Sequence, residues 1–150
     1  MATLAPQFDI FDTARALGVT ITPITPTIGA EISGLDLDRP LSSAEAEWLH
    51  AAWLRFKVIF FRDQDISHAS HIRLGRLFGD LEGHPVIPHV DGHPEILRIQ
   101  GVEGVALTQD SVRSFQAYNK WHTDVTFRER PSIASILRAR LLPALGGDTL

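Results

Sequence analysis

Cysteine is absent from the 150 residues, and lysine occurs only as Lys57 and Lys120. Without thiols there can be no disulfide framework, iron–sulfur cluster or thiolate zinc site, so any metal must be held by nitrogen and oxygen donors. With few lysines and a net charge of −4, the chain has no basic surface of the kind that releases counterions from nucleic acid. Long apolar runs are also missing. Val58-Ile59-Phe60-Phe61 falls far short of the roughly 18–20 residues of a membrane-spanning helix. The amino terminus lacks a basic segment followed by an apolar stretch, so the cytoplasm is the expected compartment, with neither nucleic acid nor membrane as partner. Absent too are the glycine-rich phosphate loops, the Gly-x-Ser-x-Gly elbow and the His-Glu-x-x-His helix, which removes the simplest nucleotide, acyl-transfer and zinc-peptidase readings.

What is present is 44% hydrophobic, an ordinary globular composition. Ser42 followed by Glu45 forms a capping-box pattern, and Ala44, Trp48, Ala51 and Ala52 then recur at helical spacing up to Arg55. Ser67 caps a second predicted helix through Ile72, Leu74 and Leu77, stopped by Gly79. Residues 1–18 read as a helical arm or a flexible end. Residues 19–24 and 29–34 read as two paired short strands, and 57–61 as a strand buried on both faces. With three prolines and three histidines, residues 83–95 read as a loop. Strands are predicted over 96–99, 121–127 and 133–142, and 100–118 read as a long surface loop.

About 70 residues remain after the second helix, whereas a closed eight-stranded jelly roll needs roughly 80–95. The expected fold is therefore α+β, mainly β: the amino-terminal part of a double-stranded β-helix with flanking helices, incomplete in this chain. Residues 1–150 would form one partial domain.

The chemistry-bearing pattern is His-x-Asp/Glu, whose two side chains share one face of a strand. It occurs as His89-Val90-Asp91, His93-Pro94-Glu95 and His122-Thr123-Asp124. Seven histidines and 18 acidic residues make about one occurrence expected by chance, so context decides. The first two lie in the predicted loop and read as exposed histidines. The third lies in a predicted strand, where His122 and Asp124 are either two ligands of a metal or a strand-edge histidine hydrogen-bonded to a carboxylate. One His and one carboxylate make two-thirds of the facial triad that holds non-haem Fe(II). The third ligand would be His84, His89 or His93 folded back, or a histidine beyond these residues. A self-contained cupin-like site using His84 or His89, and a non-catalytic β-domain that binds a small molecule or partner, are the competing readings.

Residues 121–127, Ala134-Ser135-Ile136-Leu137-Arg138, Leu142-Pro143 and Gly146-Gly147-Asp148-Thr149-Leu150 together resemble the taurine dioxygenase family, which includes alkylsulfate and aryloxyacetate dioxygenases. Upstream, Ile28–Gly34, Arg39-Pro40-Leu41, Val58–Gln64 and Phe78-Gly79-Asp80-Leu81 match in order. The resemblance implies a distorted double-stranded β-helix and a homo-oligomeric full-length form. It further implies Fe(II) and the cosubstrate 2-oxoglutarate, with O2 and a small organic acid as reactants and succinate and CO2 released as a substrate C–H is hydroxylated.

Carried over by motif, His122 and Asp124 would be iron ligands, and Thr149 would bind 2-oxoglutarate. His84 would match a substrate-binding histidine and Asn119 would lie near the substrate, whereas Phe127, on the strand face opposite the ligands, would pack in the core or, after a bulge, border the substrate. The family's second histidine ligand and its 2-oxoglutarate-binding arginine belong to its carboxy-terminal half, beyond these residues. Two departures bear on substrate. Ile87 stands where taurine enzymes carry tyrosine, and Tyr118 stands where they carry asparagine, with Asn119 one place later. A lost hydroxyl donor leaves a sulfonate acceptor unpaired, which shifts the expectation from taurine toward a more apolar sulfonate, an alkyl sulfate ester or a carboxylate.

Overall fold

A computed structural model describes residues 9–84, 88–99, 123–126 and 128–142. The chain divides into two compact units, Met1–Arg98 and Ile99–Leu150.

The first unit begins with α1 (Ile10–Ala16), whose N-cap Asp9 accepts from the backbone N–H groups of Phe11 and Asp12. Ala14 is buried and Ile10 packs against the core, so residues 10–16 are a docked helix rather than a flexible arm. Strands β1 (Thr20–Pro23) and β2 (Ala30–Ser33) pair antiparallel, Ile21 opposite Ile32. Gly34 follows with φ 86°, and a Cβ there would lie 2.7 Å from the Gly18 carbonyl oxygen. Only glycine meets both conditions.

Helix α2 (Ser43–Phe56) is the longest element among the described residues. Ser42 Oγ accepts from Glu45 N–H at 3.2 Å, and Glu45 Oε2 accepts from Ser42 N–H at 2.7 Å, closing the predicted capping box. Trp48, Leu49, Ala52 and Phe56 line its buried face, the i, i+1, i+4, i+8 set of one helical stripe. The helix ends in a tight turn. Lys57 has φ 67° and ψ −40°, and Val58 N–H donates to Phe56 O at 2.7 Å, the i→i+2 bond of a positive-φ γ-turn, which is strained for a residue with a side chain. That reversal sends the chain directly into β3 (Ile59–Phe61), parallel to β2.

Among the described residues the sheet order is β1-β2-β3, with β3 as its last strand. Phe60 is 40% exposed and Ile59 and Phe61 are half-buried, which corrects the expectation of a strand covered on both faces. Four consecutive apolar residues cannot distinguish a central strand from an edge strand, because covering requires neighbours from elsewhere in the chain.

Glu45 is buried beneath Arg39, which donates to both its carboxylate oxygens. Arg39 first, then the Ser42 backbone N–H, hold this carboxyl at about 2. A depressed folded-state value stabilises the native state above the unfolded carboxyl range, near 4.5, and this stabilisation fades as pH falls through about 2. We expect Glu45→Gln, which can keep the capping geometry, to lose about 1 kcal/mol at neutral pH. In urea titrations the difference between wild type and variant should shrink steadily from pH 5 toward pH 2. A pH-independent difference would contradict this assignment.

Helix α3 (His68–Gly75) is capped by Ser67 as predicted but stops about a turn early. Leu77 N–H bonds Leu74 O and Phe78 N–H bonds Gly75 O, the i→i+3 pattern of a tightened end. Next come β4 (His89–Val90) and β5 (His93–Leu97), an antiparallel pair. This hairpin corrects the loop expected over 83–95: the Asp91-Gly92 turn, with Gly92 at φ 75°, is the hairpin signal that the prolines obscured.

In the second unit, residues 124–126 are a turn and the described part of 128–142 contains no strand. Val125 has φ 48° and its carbonyl accepts from Arg128 N–H at 3.0 Å. A positive φ ends an extended run, so the described residues 123–126 do not form the strand expected there, and residues 121, 122 and 127 of that expectation lie outside the described residues. The expected strand over 133–142 is likewise corrected. Leu137 and Leu141 are 79% and 83% exposed, and an alternating apolar segment becomes a strand only against a partner. Helix consequently exceeds strand among the described residues. The described residues are α+β with two small sheets. No described helix is long and apolar enough to cross a membrane.

Candidate functional site

His84 ends the irregular segment 81–84 that follows α3 and is half-buried. A Cβ on Gly83 would come within 3.0 Å of the Pro94 carbonyl, so this segment runs against the start of β5. Beside it lies an open depression of about 550 Å³ lined by Arg76, Gly79, Asp80, Leu81 and Glu95. Across it Arg76 and Glu95 approach to 3.7 Å. The depression is polar and faces water, the setting in which an ion pair contributes little to stability.

The other two histidines of the 83–95 segment differ from each other. His89 is exposed, with Nδ1 3.2 Å from the Val90 carbonyl. His93 is half-buried, its ring edge-to-face with His68 of α3 at a centroid distance of 5.0 Å. That contact packs the hairpin on the helix, so His93 is not the exposed loop histidine expected from sequence.

Asp124 opens the 124–126 turn in the second unit, with its side chain exposed. Ser135 Oγ donates to its Oδ2 at 3.3 Å. The shared-face argument for His122 and Asp124 depended on a strand, and the turn at Val125 removes that premise for the residues following Asp124. His122, Asn119, Phe127 and Thr149 lie outside the described residues. Among the described residues no group of three or more His, Asp or Glu side chains is placed to hold a metal ion.

The structure therefore brings Ser135 to Asp124 and His68 to His93. His84 and Asp124 belong to separate units. Ser135 was not identifiable from sequence as a partner of Asp124. A hydroxyl eleven positions away has no periodic relation to the carboxylate, and only the folded turn brings them together.

The profile of the family "Taurine catabolism dioxygenase TauD, TfdA family" matches residues 20–150. The chain is 41% identical to an alpha-ketoglutarate-dependent sulfate ester dioxygenase of Pseudomonas putida, over 91% of this chain and 42% of that protein. It is 37% identical to an alkylsulfatase of Acinetobacter baylyi, over 84% of this chain and 37% of that protein. Among solved structures, a taurine dioxygenase from Burkholderia xenovorans superposes with a TM-score of 0.60 at 38% identity, covering 75% of this chain and 37% of that one. The chain thus spans about two-fifths of the length of these relatives. With the profile covering most of the chain and the ordered motifs lying inside it, the chain belongs to the TauD/TfdA family of dioxygenases.

Proposed function

We propose that this chain is part of an Fe(II)- and 2-oxoglutarate-dependent dioxygenase that hydroxylates an alkyl sulfate ester or a similarly apolar sulfonate. The observation that carries this reading is the family match over residues 20–150, which contains the Trp121–Phe127 motif. Two of its relatives are named for sulfate esters or alkylsulfates. Ile87 in place of a hydroxyl donor favours the same substrates, because an alkyl chain is better accommodated by an aliphatic neighbour than is the amine end of taurine.

The donor chemistry fits the metal. Asp124 presents an exposed carboxylate, and His122 two positions earlier adds an imidazole nitrogen. With no cysteine in the chain, this nitrogen and oxygen set suits a divalent iron. When bound, iron with 2-oxoglutarate supplies the oxidising chemistry.

The protein's own residues bind and orient. In this reading Asp124 and His122 hold the metal, and Thr149 donates a hydroxyl hydrogen bond to the 2-oxoglutarate carboxylate. His84 offers an N–H to the substrate anion, and Asn119 and Phe127 border it. A jelly roll completed by chain beyond these residues would supply the remaining ligand. A homo-oligomeric cytoplasmic protein acting on small molecules belongs to the same proposal.

The test is an anaerobic titration of the intact gene product with Fe(II) and 2-oxoglutarate. A metal-to-ligand charge-transfer band is expected, followed on admitting oxygen by succinate release that is faster with a medium-chain alkyl sulfate than with taurine. Absence of the band would rule the proposal out, and faster turnover of taurine would overturn its substrate assignment.

A further inference from the structure

We propose that Ser135 is a positioning residue for Asp124, holding Oδ2 so that Oδ1 is the oxygen presented to the metal. The inference rests on the function proposed above and adds to it a residue that its motif reading did not assign.

Two observations support it. First, Ser135 Oγ lies 3.3 Å from Asp124 Oδ2, although both side chains belong to exposed residues that water could serve equally well. Water can satisfy a carboxylate oxygen but cannot fix its direction. A hydroxyl on a short, one-carbon side chain does both. Second, Asp124 begins a turn whose next residue, Val125, has φ 48° and whose carbonyl accepts from Arg128 N–H. The backbone direction at Asp124 is therefore set by the turn, and the direction of its carboxylate is then set by the side-chain torsions. The Ser135 contact restrains those torsions and closes the loop from 124 to 135.

The chemistry explains why such a restraint matters. A carboxylate binding a metal through one oxygen leaves the other needing a donor, and loss of that outer partner typically costs 10–100-fold in metal affinity. At 3.3 Å the bond is longer than the 2.5–3.0 Å of a strong hydroxyl–oxygen bond. It is sufficient to orient the group, and the expected effect lies at the lower end of that range.

The experiment is a Mn(II) titration of the intact gene product, followed by electron paramagnetic resonance, on wild type, Ser135→Ala, Ser135→Thr and Asp124→Ala. Ser135→Ala should weaken Mn(II) binding about tenfold with an unchanged melting temperature, since the residue is exposed. Ser135→Thr, which keeps the hydroxyl, should stay within about threefold of wild type. The charge-transfer band with Fe(II) and 2-oxoglutarate should shift in Ser135→Ala and not in Ser135→Thr.

If Asp124→Ala abolishes binding while Ser135→Ala binds like wild type, the positioning role is overturned and the metal assignment stands. Equal losses in Ser135→Ala and Ser135→Thr would also overturn it, by showing that the hydroxyl is not what matters. If Asp124→Ala binds Mn(II) normally, Asp124 is not a metal ligand and the positioning role fails with that assignment, while the charge-transfer test of the intact gene product decides the functional reading separately.

Discussion

Replacing Asp124 with alanine should lower divalent-metal affinity by at least about 100-fold and reduce substrate-dependent succinate release to background. The magnitude follows from the ligand's place in the proposed site. Losing an outer hydrogen-bond partner alone costs 10–100-fold, and losing the carboxylate removes both a ligand and the negative charge that partly neutralises the cation. Among the described residues no group of three or more acidic or histidine side chains is placed to hold a metal, so no second described cluster would take over the role. Fold damage is not expected to mask the result, because Asp124 is exposed. Exposed substitutions usually change stability by no more than about 0.5 kcal/mol. The melting temperature should therefore hold while binding disappears. Retained Mn(II) affinity with lost turnover would place Asp124 in substrate or proton handling instead.

The second large effect is on stability. Trp48→Ala should destabilise the first unit by about 3–5 kcal/mol, a large fraction of the 5–15 kcal/mol that holds a typical domain together. Trp48 is fully buried, and its indole N–H donates to the Ile10 carbonyl at 2.8 Å. Truncation would leave a cavity in the α2 face of the core. It would also strip a hydrogen bond from the first residue of α1, so the loss combines packing and docking. Trp48→Phe separates the two, since it fills most of the volume and lacks the donor, and should cost about 1–2 kcal/mol. Trp53 provides the contrast. It is half-buried against His50 and Phe78, and its replacement by alanine should cost less than that of Trp48. Urea denaturation of the three variants checks the order, and a loss below about 1 kcal/mol for Trp48→Ala would show that α1 and α2 are held by other contacts.

Legibility from sequence varied with the kind of signal. The start of α2 was readable because Ser42 and Glu45 act on each other within one turn, and the structure shows both bonds. The pairing of β1 with β2 was readable because a short glycine-containing connection leaves antiparallel pairing as the simple solution. The β4–β5 hairpin was misread because prolines and histidines around it suggested a loop, although Asp91-Gly92 carried the turn signal. The described residues 123–126 and 133–142 were misread most, since β-branched and aromatic composition is a weak indicator of a strand where no partner is specified.

The candidate site divides in the same way. His84, His122, Asp124 and Thr149 were selected by sequence order alone, and that order was sufficient for the family. The packing of His93 on His68 and the approach of Ser135 to Asp124 left no trace in spacing.

By itself, then, the sequence determined the nitrogen and oxygen donor set, the capped helices, the β1–β2 pairing and the family. These depend on composition, on interactions within four residues, or on motif order. Tertiary structure alone decided that β3 is the last strand of its sheet among the described residues with Phe60 exposed, that the chain turns at Val125, and that a serine eleven residues away orients toward Asp124. Burial, positive φ and hydroxyl contacts are set by neighbours distant along the chain, and local sequence carries no record of where those neighbours come to rest.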